Sequence, residues 1–151
     1  MFELRPRTAA DLDALVEWVP DPAALYLFTG PRLRWPLTTV QLAEMEALAG
    51  FSAWMLVDEE SGVAVGHVDV VLDGRNARLG RVLIDPDRRG HGLAHVLVEG
   101  AVARARAQGA SQVRLSVVAG NEPALRVYRR AGFEVEDGGG RPDMLAMILV
   151  L

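Results

Sequence analysis

The order of the predicted segments is the feature that most restricts the fold of this chain. Antiparallel hairpins come first, and a strand–helix–strand crossover follows. Residues 51–58, 62–73 and 77–85 have the pattern of strands, and the short turns EESG and GRN join them. The stretch RRGHGLAH and a long helical pattern ending before Gly109 come next, followed by a strand at residues 111–119. Because such crossovers are right-handed and join parallel strands, we expect strands 77–85 and 111–119 to be parallel.

The remaining segments extend this sheet and cover it. Further strands are predicted at residues 2–6, 133–137 and 143–151. Helices are predicted at residues 8–19, 38–50, 92–109 and 121–132. Residues 26–37 are expected to form an irregular linker, and GGGRP (138–142) a loop. The expected fold class is α/β (α+β), with a mixed, mostly antiparallel sheet of about seven strands, about four helices and a single domain over residues 1–151.

Composition excludes several function classes. The chain has 151 residues, no cysteine and a net charge of −4, and its sixteen basic residues are all arginine. Disulfides, cysteine-bound zinc, a P-loop lysine and a Schiff-base lysine are therefore excluded. The negative charge argues against nucleic acid as a partner and weakly suits cationic or neutral small substrates. No apolar run reaches 18 residues and the N-terminus lacks a signal-peptide pattern, so we expect no membrane partner and a cytoplasmic location.

The stretch RRGHGLAH is compatible with three chemistries. His91 and His95 have the i, i+4 spacing of two metal ligands on a helix, but Gly92 stands where a zincin has glutamate. A capping or solvated histidine pair is therefore favoured, and no metal is expected. A dinucleotide fingerprint would need glycine at position 95 and an open parallel sheet before it, and neither is indicated.

A phosphate-binding turn is the third interpretation. A helix beginning near Gly92 leaves its first N–H groups unpaired, and Gly90 and Gly92 would let a pyrophosphate approach them. Arg88 and Arg89 would add fixed positive charge. A glycine-rich turn without a ligand explains the same residues equally well, so this stretch alone leaves both possibilities open.

A second motif gives the chain a family resemblance. The segment from Arg89 to Ala94, RGHGLA, resembles the R/Q-x-x-G-x-G/A motif of the GNAT N-acetyltransferase superfamily and follows a strand with a similar Asp-Pro exit. The segment NEPALRVYRRAGF (121–133) is similar to the family's N-x-x-A-x-x-x-Y-x-x-x-G-F pattern. Two motifs in this order and spacing are more specific than either one alone, and they lie within residues 77–137.

The resemblance implies an acetyl-CoA-dependent transfer to a primary amine within a ternary complex, and a sheet whose parallel strands splay into a V. It implies that Val82, Leu83 and Ile84 offer backbone groups to the pantetheine arm and thioester, that Asn121 contacts the same arm, and that Tyr128 returns a proton to the leaving thiolate. The cofactor-binding set expected for acetyl-CoA is Val82, Leu83, Ile84, Arg88, Arg89, Gly90, His91, Gly92, Leu93, Ala94, Asn121, Ala124 and Tyr128.

The general base is not assigned by the resemblance. An alkyl ammonium is only about one part in a thousand free amine at pH 7, so its proton must be removed. Two positions where relatives carry a glutamate are Arg78 and Ser116 here, and neither can act as that base. Asp69 and His67 alternate onto one face of strand 62–73 together with Val63 and Val65, and we expect one of them, or a chain of waters, to take the proton.

The acceptor, the acyl group and the oligomeric state also stay open. The acceptor is expected to be a small-molecule or peptide amine, with residues 26–37 and the GGGRP loop near its entrance. The aromatic residues of 26–37 could equally be a lid over the core. The alternatives to an acetyltransferase are a CoA-binding sensor without catalytic activity and a transferase for a longer acyl-CoA. The apolar last strand, LAMILVL, is expected to be an exposed edge on which a homodimer could form.

Overall fold

A computed structural model describes residues 1–137 and 141–151. The strands are β1 (Phe2–Pro6), β2 (Phe51–Asp58), β3 (Ala64–Asp73), β4 (Asn76–Ile84), β5 (Gln112–Val118), β6 (Glu134–Val135) and β7 (Met144–Val150). The α-helices are α1 (Ala9–Glu17), α2 (Pro22–Thr29), α3 (Thr39–Glu44), α4 (Leu93–Ala107) and α5 (Glu122–Arg130). Short 3-10 turns lie at Gly30–Arg32, Met45–Ala47 and Pro86–Arg88. Over the described ranges, no helix combines the length and apolarity needed to span a bilayer.

All seven strands form one mixed sheet in the order β1-β2-β3-β4-β5-β7-β6. The pair β4–β5 is parallel and the other neighbouring pairs are antiparallel, which confirms the predicted fold class. The parallel pairing covers only residues 76–78 of β4 and 112–114 of β5. Both strands continue beyond it, so they separate and leave a V-shaped opening in the middle of the sheet.

Two apolar layers cover the two faces of the sheet. On β2, Leu56 packs into the cluster under α4 and α5, whereas its neighbours Met55 and Val57 pack into the cluster under α1, α2 and α3. This alternation is what a strand buried on both faces requires. Helix α4 contributes Leu97, Val98 and other fully buried residues to the first layer, which anchors its N-terminus next to the end of β4.

The segment after α1 differs from the prediction. Residues 26–37 were expected to be an irregular linker, but α2 covers Pro22–Thr29 and raises the number of α-helices from about four to five. The Asp21 carboxylate accepts a 2.7 Å hydrogen bond from the backbone N–H of Ala24, and Pro22 occupies the first turn, where no N–H donor is needed. Pro22 therefore begins a helix here.

Two further expectations for the sheet are wrong. Strand β7 is not an exposed edge, because it lies between β5 and β6, with Met147 and Ile148 paired to β6. Val65 does not share a face with His67, because a register shift between β2 and β3 at Leu56 and Val57 changes the alternation there. Val65 instead packs into the cluster under α4 and α5. A homodimer stays a prediction.

Candidate functional site

The turn between β4 and α4 has an exposed backbone at residues 89–92. Gly90 and Gly92 have φ of 84° and 74°, in the left-handed region that favours glycine. Gly92 is the N-cap of α4 and carries no side chain to satisfy the first helical N–H groups. A Cβ atom at either glycine would meet no described atom within 4 Å. The unpaired N–H groups and the partial positive charge of a 15-residue helix therefore face free space, which suits a phosphate group.

The other residues of RRGHGLAH have different surroundings. Arg89 and His91 are exposed, whereas Leu93 is buried and belongs to the core under α4. Arg88 lies 3.9 Å from a carboxylate oxygen of Asp58. The Nε2 atom of His95 lies 3.0 Å from Glu99 one turn along the helix. The contact of His95 is thus with its own helix and not with His91.

The V-shaped opening contains a small cavity of about 70 Å³ between β4, β5 and α5. Val82, Asn121, Ala124 and Tyr128, all members of the expected cofactor-binding set, line it. Asn121 also caps α5, with its side-chain oxygen 3.5 Å from the N–H of Ala124. Leu83 and Ile84 are buried in the apolar layers on the two faces of the sheet, so only their backbone is available to a ligand.

Tyr128 is almost fully buried, and its ring packs edge-on against Phe133 with the ring centroids 6.1 Å apart. Burial raises the pKa of its phenol to about 12, because an apolar environment disfavours the phenolate. The hydroxyl therefore keeps its proton at neutral pH. A phenol with this pKa is a weak acid, which gives its proton only to a strongly basic atom.

Strand β4 carries a β-bulge beside the same cavity. His67 of β3 pairs with Leu83, whereas Asp69 pairs with Gly80, so β4 holds one extra residue between these pairs. Arg81 lies within this bulge and has a φ of 49°. Such a backbone conformation is unfavourable for a residue with a side chain and persists only where neighbouring contacts fix it.

The contacts that fix Arg81 come from Asp69 and His67. The guanidinium of Arg81 forms a buried ion pair with the Asp69 carboxylate, through its Nε and also through Nη2 at 3.3 Å. The Nδ1 atom of His67 lies 2.8 Å from the Arg81 carbonyl oxygen. All three residues are buried. Asp69 thus holds the side chain of Arg81, and His67, two residues earlier on β3, holds its carbonyl.

His67 has both ring nitrogens occupied. Arg7 Nη1 lies 3.1 Å from Nε2, and a guanidinium can only donate, so Nε2 accepts and Nδ1 carries the proton donated to Arg81. Burial is the main cause that lowers the pKa of His67 to about 4, and the positive charges of Arg7 and Arg81 contribute, while Asp69 and the bond to the carbonyl oppose the shift. His67 is therefore neutral at pH 7.

A larger cavity of about 270 Å³ adjoins the small one. The two share the lining residues Leu27, Phe28, Leu79, Gly80, Arg81 and Ser116. Helix α2 and the following turn form one wall, and Arg141 and Met144 lie at another. Residues 27–32 therefore line this cavity, and the acceptor entrance expected at the segment 26–37 stays a prediction. The part of the expected GGGRP loop at residues 138–140 lies outside the described residues.

The structure brings five of the residues predicted from the sequence to the two cavities. Tyr128, Asn121, Ala124 and Val82 share one cavity, and Asp69 lines the neighbouring one. His67 lies behind Arg81 and lines neither cavity. Sequence reasoning missed Arg81, although the preceding Gly80 within a strand pattern is a possible sign of a bulge.

Comparison with known proteins identifies the family. Residues 13–133 match the model of the acetyltransferase (GNAT) family, and the chain belongs to that family. A mycothiol acetyltransferase of Clavibacter michiganensis is 34% identical over 79 residues, which are 52% of this chain and 26% of that protein. This chain therefore matches about a quarter of the length of that relative.

Solved structures show the same fold. A spermidine N-acetyltransferase from Vibrio cholerae, in complex with CoA and spermine, has a TM-score of 0.81 at 18% identity, with 99% of this chain and 95% of that chain covered. An aminoglycoside acetyltransferase in complex with coenzyme A and kanamycin has a TM-score of 0.77 at 19% identity, with the same coverage. At this identity the likeness concerns the fold.

Proposed function

We propose that this protein transfers an acetyl group from acetyl-CoA to a primary amine. The observation that carries the proposal is the combination, around one opening in the sheet, of the glycine turn at α4, the cavity between β4 and β5, and the buried Tyr128. Membership of the GNAT family and the CoA complexes of proteins with this fold support it. CoA fits the open backbone at Gly90 and Gly92, where no side chain obstructs a pyrophosphate.

Each part of the site has a role in the proposed reaction. When bound, acetyl-CoA supplies the thioester. The N–H groups at Gly92, Leu93 and Ala94 hold the pyrophosphate, and Arg88, Arg89 and His91 surround it. The backbone from Val82 to Ile84, next to the bulge, offers hydrogen bonds to the pantetheine arm and the thioester oxygen, where negative charge develops. Asn121 and Ala124 line the path of the arm.

Tyr128 is the proposed proton donor. The amine nitrogen bonds to the acetyl carbon and the carbon–sulfur bond breaks. One proton passes from the nitrogen to the base or to water, and the sulfur receives one from the phenol, which regains a proton from water. The products are an amide and a thiol. Burial keeps Tyr128 protonated at neutral pH, which is the state that a general acid needs.

Asp69 and His67 stay predicted candidates for the base, but their contacts favour another role. Both would have to release Arg81 or Arg7 to accept a proton from an amine. We propose that they act through Arg81 by holding the bulge next to the thioester. The arginine and serine at positions 78 and 116, where many relatives have glutamate, favour a CoA-binding protein without transferase activity as the second candidate function.

Calorimetric titration with CoA and acetyl-CoA, with NADH and zinc chloride as controls, tests the site. Micromolar binding of the CoA compounds alone is the expected result.

Thiol release in the presence of a panel of amines then tests transfer. Acyl-CoAs with longer chains test which acyl group is transferred, and the small cavity favours acetyl. Binding without thiol release from any amine would favour the second candidate, and absence of CoA binding would overturn the proposal.

A further inference from the structure

The larger cavity is strongly positive, although the whole chain has a net charge of −4. Its charged lining residues within the described ranges are Arg32, Arg78, Arg81, Arg141 and Asp69. Four guanidiniums thus face one carboxylate. The negative charge of the chain, which suits cationic substrates, is therefore a poor guide to this cavity, because a ligand responds to the charges around it.

Three of these arginines are available to a ligand. Arg81 is engaged with Asp69 in the buried pair. Arg32, Arg78 and Arg141 are exposed, and no carboxylate of the described residues lies within 4 Å of their guanidiniums. Arg78 donates a 3.3 Å hydrogen bond to Ser116, which turns it toward the opening between β4 and β5.

The positive charges act on one another. The pKa of Arg32 lies below its usual value, first because the surrounding protein removes part of the water around its guanidinium. The charges of Arg78, Arg81 and Arg141 lower it further, and Asp69 only partly offsets them. An arrangement of like charges around one cavity is unfavourable without a counterion. Planar guanidiniums are well suited to bind carboxylate and phosphate groups.

We infer that the acceptor is an amine that also carries a carboxylate or phosphate group, which the cluster Arg32, Arg78 and Arg141 binds. This inference rests on the proposed transferase function and names its substrate class. Polyamines such as spermine carry several positive charges, and the same arginines disfavour them. The ligand chemistry of this cavity thus differs from that of the neighbours crystallised with spermine and kanamycin.

The cluster also bears on the missing base. A positively charged environment disfavours the ammonium form of the bound acceptor and lowers its pKa. An anionic group at one of the outer arginines fixes the molecule, and the charges of the remaining arginines of the cavity act on its amine. The free amine then forms more readily, and water can carry the proton away without a dedicated glutamate at position 78 or 116.

The first test compares matched acceptors in the thiol-release assay. The pairs are glycine with glycinamide and O-phosphoethanolamine with ethanolamine, and spermidine serves as the polycation. Rates are referred to the concentration of free amine in each case. We expect kcat/KM to be about tenfold higher or more for the anionic member of at least one pair, and that pair distinguishes carboxylate from phosphate. Equal or faster transfer to the neutral amines or spermidine would overturn the inference while leaving the proposed transferase function intact.

The second test uses substitutions on the exposed cluster. Arg78→Gln and Arg32→Gln should each raise KM for the preferred anionic acceptor about tenfold, with little change for its neutral partner. Arg106→Gln, on the exposed face of α4 away from both cavities, is the control and should leave KM unchanged. Equal effects on both members of a pair would contradict the inference.

Binding separates failure of the inference from failure of the transferase function. The anionic amines are titrated into protein saturated with CoA, a measurement that needs no turnover. Binding that Arg78→Gln weakens about tenfold, without thiol release from any amine, would support the anionic ligand and overturn transfer. Neither binding nor turnover with any anionic amine would overturn the inference.

Discussion

The Nδ1 atom of His67 donates a 2.8 Å hydrogen bond to the carbonyl oxygen of Arg81 and so fixes a backbone with a φ of 49°. Asp69, two residues along the same strand, holds the side chain of Arg81. A strained bulge and the two residues that hold it are therefore built into the edge of the opening between β4 and β5. This arrangement gives Asp69 and His67 a function that requires neither of them to exchange a proton.

A double-mutant cycle on Asp69 and Arg81 distinguishes a positioning role from a base. Asp69→Asn leaves a buried guanidinium without its counterion, and we expect it to lower the free energy of unfolding by about 3 kcal/mol. Asp69→Asn combined with Arg81→Met removes both charges and should lose less stability than Asp69→Asn alone. Denaturant unfolding of the single and double variants measures these differences.

Activity is measured on the same variants. If Asp69 acts through Arg81, the double variant should lose no more kcat/KM than the more impaired single variant, because both changes disturb one bulge. Loss of a base would instead shift the acid limb of the pH profile in Asp69→Asn and leave that limb unchanged in Arg81→Met. The second pattern would restore Asp69 as the base.

His67 makes the stability of the fold depend on pH. Its pKa is about 4 in the folded protein against an ordinary value of 6.5, so between these values the unfolded chain binds a proton that the folded protein excludes. This contribution is complete above pH 6.5 and is lost as the pH falls toward 4, by about 3 kcal/mol. We therefore expect the free energy of unfolding of the unsubstituted protein to decrease as the pH falls from 6.5 toward 4.

His67→Asn should remove that decrease, at the expense of lower stability at pH 7. His91→Asn is the matched control, because His91 is exposed at the glycine turn. The carboxylates Asp11 and Asp143, whose pKa values are lowered by Arg5 and Thr8 and by Tyr26, respectively, lose their contribution only below about pH 4. An unchanged pH dependence in His67→Asn would show that another group causes it.

Tyr128→Phe tests the proposed proton donor with little change in packing. The ring can keep its edge-on contact with Phe133, and no hydrogen bond joins the Tyr128 hydroxyl to another of the described residues. We expect kcat to fall by about 100-fold, the lower range for loss of a general acid, with the Kd of acetyl-CoA unchanged within about twofold. Because the pKa of Tyr128 is about 12, its ionisation should not contribute to the pH profile below about pH 10.

A near-normal kcat for Tyr128→Phe would remove Tyr128 from the mechanism. A fall in kcat accompanied by an equal loss of CoA binding would instead assign the hydroxyl to binding. Thermal unfolding of the variant checks that the core under α5 is intact. With no hydrogen-bond partner lost, the free energy of unfolding should change by less than about 1 kcal/mol.

The sequence predicts local features of this protein well and the relations between distant segments poorly. Strand alternation and capping residues predict the sheet and most helices, but they do not predict α2, which Asp21 and Pro22 begin. Gly80 is a local sign of a bulge, but the conformation of Arg81 depends on pairing with β3, which no local pattern reports. The cluster of Arg32, Arg78 and Arg141 forms only when α2, β4 and the segment before β7 meet in space.

Substitutions at Gly92 and Gly109 give a closely matched test of the glycine turn, because α4 has a glycine in the left-handed conformation near each end. Gly92 precedes the helix with a φ of 74°, and Gly109 follows it with a φ of 97°. A Cβ at either position would meet no described atom within 4 Å, so valine introduces similar backbone strain of about 1–2 kcal/mol at both.

Only the side chain at position 92 would stand over the first N–H groups of α4. We therefore expect Gly92→Val to weaken CoA binding at least tenfold, measured by calorimetry, and Gly109→Val to destabilise the protein equally while leaving CoA affinity unchanged. Equal CoA affinity in the two variants would mean that the N-terminus of α4 does not hold the pyrophosphate.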